Sequence, residues 1–141
     1  MTVVIVLAAV FFVGMGVFAL ARPAVMIRPF GITLPRPESR AEVRAVYGGF
    51  GLAIAGMLGL AATGHPARDG ILLTVAAALG GMAFGRLVSG VVDRPKAFYP
   101  NWFYFLVEAV GATALLWAIA PLSAQTPVPS DARQVHWERS L

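Results

Sequence analysis

Arg44, Arg86 and Glu108 each stand inside or at the edge of a long apolar stretch, and they are the residues of this sequence best placed to do chemistry. A charge held in hydrocarbon is costly, so ionisable residues there mark functional sites by default. One carboxylate and two guanidiniums offer an ion pair, a proton site on Glu108 or an anion anchor on Arg86. Tyr47 lies three residues after Arg44, and Ser89 three after Arg86, so each shares a helix face with its arginine. Asp93 continues the Arg86 face, and Glu42 flanks Arg44.

Depth brings these residues together. Arg86 precedes Asp93 by about seven residues and Glu108 follows Asn101 by about seven, so both lie about 10 Å inside the same end of their helices. The expected arrangement pairs Arg86 with Glu108. Tyr47 and Ser89 would hydrogen-bond to the pair, with Arg44, Glu42 and Asp93 nearer the surface. Such a pair either fixes helix register or forms a small site for a polar headgroup, an anion or a proton.

The elements that must hold this cluster are apolar helices. Hydrophobic residues make up 58% of the 141 residues and charged ones 13%, about half the charged share of a typical soluble domain. Mean hydropathy is +0.75. About 20 apolar residues cross a bilayer core, and four stretches approach that length, at about 3–21, 41–63, 70–92 and 101–120. They show no period-2 alternation, which excludes a barrel. The expectation is an all-α, four-transmembrane-helix bundle over 1–121, followed by a polar extramembrane tail at 122–141. The first stretch is expected to be a retained span, because no basic residue precedes it as in a signal peptide. Ser39 and Glu42 fit a capping box at the start of the second. Pro66, Pro95 and Pro121 punctuate the helix ends.

Small residues recur every four positions in the middle helices, as Gly51, Ala55 and Gly59 and as Ala77, Gly81 and Gly85. In lipid, such rows allow close backbone contact. They predict that helices two and three form a tight hairpin, or that one row docks on another membrane protein.

Arg22, Arg28, Arg36 and Arg40 follow the first stretch, and Arg94 and Lys96 follow the third. Four spans put both loops on one side. The positive-inside rule makes that side cytoplasmic and both termini non-cytoplasmic. The aromatic cluster Phe98, Tyr99, Trp102, Phe103 and Tyr104 suits the same interface. Ten Arg against one Lys, with abundant Ala and Gly, points to a high-GC bacterial genome and so to the inner membrane.

Glu42-Val43-Arg44-Ala45-Val46-Tyr47-Gly48-Gly49, then Gly85-Arg86-Leu87-Val88-Ser89 with Asp93, then Glu108, occur in this order. The order resembles the DUF4345 family of small bacterial four-helix membrane proteins, over about residues 4–120. The E-x-R-A-x-Y-G-G element is the most specific part. The resemblance implies the topology and the polar positions. It implies no activity, because the family's function is uncharacterised.

Other functions lose support. The sequence has no cysteine, so thiolate metal sites and iron–sulfur clusters are excluded. His65 and His136 lie outside the spans, and no metal or haem is expected. Nucleophile-elbow, zinc and phosphate-loop motifs are missing, and no enzyme is expected. The basic residues form no groove-sized patch, so no nucleic acid is expected. The leading expectation is a non-catalytic accessory or scaffold subunit with no cofactor. Its partners would be the bilayer and either a larger membrane complex or copies of itself. The alternative is a small carrier or lipid- or quinone-binding protein built on Arg86, Glu108 and Tyr47.

Overall fold

Apolar runs without internal proline make the long helices, and prolines and glycines end them. The computed structural model describes residues 1–119, and every regular element in them is helical. Helix α1 is Thr2–Ala21, and the short α2, Pro23–Ile27, leads into a 3-10 turn, Arg28–Phe30. Helix α3, Pro37–Val43, passes through a π-helical turn, Arg44–Gly49, into α4, Phe50–Ala62. Helices α5, Arg68–Val92, and α6, Asn101–Ala118, complete the described chain. Three helical stretches are long and apolar enough to cross a membrane: Thr2–Ala21, Pro37–Ala62 and Arg68–Val92. The expected tail at 122–141 lies outside the described residues.

The helix starts differ from expectation. The second long helix begins at Pro37, with Arg36 as its N-cap and no side-chain cap, so Ser39 and Glu42 form no capping box. Proline at the first helical position has its φ already set and no amide to satisfy. The helix therefore nucleates four residues before 41. The third begins at Arg68 rather than 70.

The packing also differs. Close contact runs between α1 and α4 and between α5 and α6, while α4 and α5 meet more sparsely. Gly16, Gly48 and Gly51 bring the backbones of the first pair together. A Cβ at Gly16 would stand 3.1 Å from the Gly48 carbonyl oxygen, and one at Gly48 only 2.5 Å from Leu20 Cδ2. Of the predicted rows, Gly51 and Ala55 are buried. Gly59, Ala77, Gly81 and Gly85 are exposed, and a Cβ at any of those glycines would touch nothing among the described residues. Spacing defines a helix face. It does not say which neighbour covers that face.

The apolar core shared by all four long helices lies in the half next to the α4–α5 turn. Ile5, Leu58, Leu72 and Leu115 are its largest fully buried side chains. Arg68 closes this end. Its Nη2 donates to the Ala118 carbonyl at 2.7 Å, and its Nη1 pairs with Asp69 at 2.8 Å. A cation on a helix C-terminus opposes the dipole and satisfies a free carbonyl. Arg68→Ala is expected to cost about 1–2 kcal/mol, and Asp69→Asn, at an exposed position, much less. Thermal unfolding in detergent measures both.

Candidate functional site

Glu108 is the one buried charged residue of the described chain, with 6% of its surface exposed. It projects from the second turn of α6, and Arg86 reaches it from α5. Arg86 Nε donates to Glu108 Oε2 at 2.8 Å, and Arg86 Nη2 donates to Oε1 at 2.8 Å. This is the two-bond fork that guanidinium and carboxylate geometry favours. The expected pairing is therefore present, and it is closed: both carboxylate oxygens are taken by the guanidinium.

The surroundings of the pair differ from those expected. Tyr104, one helical turn before Glu108, lies beside Arg86, whose guanidinium carbon is 5.1 Å from the ring centroid. A guanidinium at this distance is attracted to the ring face. Tyr104 is held in turn by Phe30, with centroids 5.4 Å apart, and by Tyr99 and Phe103. Phe30 thus ties the loop after α1 to the start of α6. Asn101 Nδ2 donates to the Arg86 carbonyl at 3.4 Å. Trp102 lies against Gly90, where a Cβ would come within 2.7 Å of its ring. The sequence carries a signal for Tyr104: it sits four residues before Glu108, hence on the same face.

The other predicted members lie elsewhere. Arg44 is exposed and its Nε donates to the Leu20 carbonyl at 2.9 Å, at the end of α1. Tyr47 is 42% exposed and makes no hydrogen bond to the pair. Ser89 is half-buried, and its carbonyl accepts the Asp93 amide, but its hydroxyl does not join the pair. Asp93 and Glu42 are exposed. The cause is azimuth. The π turn that contains Arg44 and Tyr47 packs against α1.

Chemically, the closed pair clamps α5 to α6. No group of three or more histidine or carboxylate side chains gathers to hold a metal among the described residues. Two apolar hollows occur on the surface. One is lined by Val13, Gly14, Val17, Phe18, Ala21 and Arg22, the other by Ala109, Val110, Thr113, Ala114 and Trp117. Neither includes Arg86 or Glu108.

A family described as a domain of unknown function, DUF4345, matches residues 1–119. The chain belongs to the DUF4345 family. The matched region includes the π turn, the Arg86–Glu108 pair and the aromatic cluster. No curated protein and no solved structure matches the chain.

Proposed function

We propose that this DUF4345 protein is a non-catalytic accessory or scaffold subunit of a larger membrane complex in a bacterial inner membrane. The observation that carries this reading is the closure of Arg86 on Glu108. A carrier or catalytic site needs its charged groups to open onto a space for ligand. Here both carboxylate oxygens are occupied by the neighbouring helix.

In this reading α6 is a fourth span. Its 18 residues rise about 27 Å, close to the hydrocarbon thickness of about 30 Å. Its acid is paired and its last carbonyl, that of Ala118, accepts from Arg68. The basic loops face the cytoplasm and both termini the other side. The exposed face of α5 at Ala77, Gly81 and Gly85 is the docking surface, since small residues there allow a partner helix to approach closely.

Native electrophoresis of mildly solubilised membranes tests the reading. The protein is expected to migrate within a large assembly. Gly81→Val should release it, while leaving thermal unfolding of the isolated protein unchanged. Migration of the wild-type protein alone, or a variant that stays in the assembly, overturns the proposal.

A further inference from the structure

We infer that the outward face of α1 binds one anionic phospholipid, with an acyl chain along the Val13–Ala21 groove and the phosphate on Arg22. This site is separate from the α5 docking face and from the Arg86–Glu108 pair. The groove exists because Gly14 removes a side chain from a face otherwise built of exposed Val13, Val17 and Phe18. A Cβ at Gly14 would meet nothing within 4 Å, so no group among the described residues fills the notch. The lining is apolar from Val13 to Ala21 and ends on a cation, Arg22. From Val13 to Arg22 the helix rises about 14 Å, a length suited to an extended hydrocarbon chain lying under its headgroup.

Charge selects the headgroup. The C-terminus of a helix carries partial negative charge and by itself repels phosphate. At α1 two guanidiniums reverse that sign. Arg22 is exposed, and Arg44 is held at the same helix end by its bond to the Leu20 carbonyl. The two ion pairs of the described residues are Arg68–Asp69 and Arg86–Glu108, so among those residues no acid pairs with Arg22 or Arg44. Arg28 and Arg36 add to the field from the loop that follows α1. The Phe30–Tyr104 contact brings the turn carrying Arg94 and Lys96 to the same end. A zwitterionic headgroup carries a cation of its own and gains less from this field. Basic residues beside a span attract anionic lipid with about a fivefold gain in affinity each.

The experiment is native mass spectrometry of the purified full-length protein, titrated with phosphatidylglycerol or with phosphatidylcholine. The wild-type protein is expected to retain one phosphatidylglycerol in preference to phosphatidylcholine. Arg22→Gln should weaken that retention about fivefold. Gly14→Leu fills the groove without changing any charge and should weaken both lipids. Gly56→Leu, on an open face of α4, should weaken neither. Equal retention of the two lipids overturns the site. An unaffected Gly14→Leu variant does so too, since it leaves only a diffuse surface charge. Full displacement by millimolar inorganic phosphate would show a simple ion site and would likewise overturn the lipid assignment.

Discussion

Replacing Glu108 by Ala is expected to destabilise the protein by about 3–5 kcal/mol, because it strands the Arg86 guanidinium inside the helix bundle. The side chain of Arg86 is 23% exposed and that of Glu108 only 7%, so neither end of the pair is surface-screened in the way that makes ordinary ion pairs weak. Arg86→Leu should cost a similar amount, since it leaves the carboxylate without its two donors. The informative variant is the double change to Leu at both positions. Removing both charges removes the need for either, and apolar replacements of buried pairs are often neutral or better. The double variant should therefore unfold later than either single one. Thermal unfolding in detergent gives all three values, and the non-additive part is the coupling between the two side chains. Losses that simply add would show that Arg86 and Glu108 act separately.

Gly16→Val should be the most damaging change in the α1–α4 interface. The added Cβ would stand 2.9 Å from Leu52 Cγ and 3.1 Å from the carbonyl oxygen of Gly48. Leu52 can turn aside. The carbonyl is backbone and moves only if the helices part. Overpacking of this kind costs about 1–3 kcal/mol, and parting α1 from α4 also breaks the bond from Arg44 to Leu20. The matched control is Gly81→Val, where the added Cβ meets no atom of the described residues within 4 Å. Helix propensity favours Val over Gly at both positions by a few tenths of a kcal/mol. The sign of the difference between the variants therefore comes from contact alone. Unfolding of the two purified variants in the same detergent checks it, and equal stability would remove Gly16 from the interface.

These two sites differ in how far they could be read in advance. The Arg86–Glu108 pair followed from counting. Each residue is about seven positions from the same end of its helix, and opposite charges at one depth in an apolar bundle have few other partners. The small-residue rows gave faces without neighbours, so Gly51 and Ala55 are buried while Gly81 and Gly85 are open. The partner of Gly51 is Gly16 on α1, a helix whose residues show no conspicuous row. Tyr104 carries a usable signal, its spacing from Glu108, but its place in an aromatic run suits an interfacial belt equally well. For Arg44 and Tyr47 position in the sequence gives only depth, and depth leaves the angle around the helix axis undetermined.

That angle is set by the π-helical turn at Arg44–Gly49. An α-helix advances about 100° per residue, and a π turn takes up one more residue than an α turn before the helix resumes. Everything ahead of it, including Arg36 and Arg40, is therefore turned relative to everything after it, including Gly51 and Ala55. The turn works like an indexing notch on a shaft. The apolar part of the helix keeps the orientation that its packing on α1 requires, while the basic segment ahead of it is clocked independently. A deletion of one residue here is not a shortening of the helix by 1.5 Å but a change of bearing for its whole leading end.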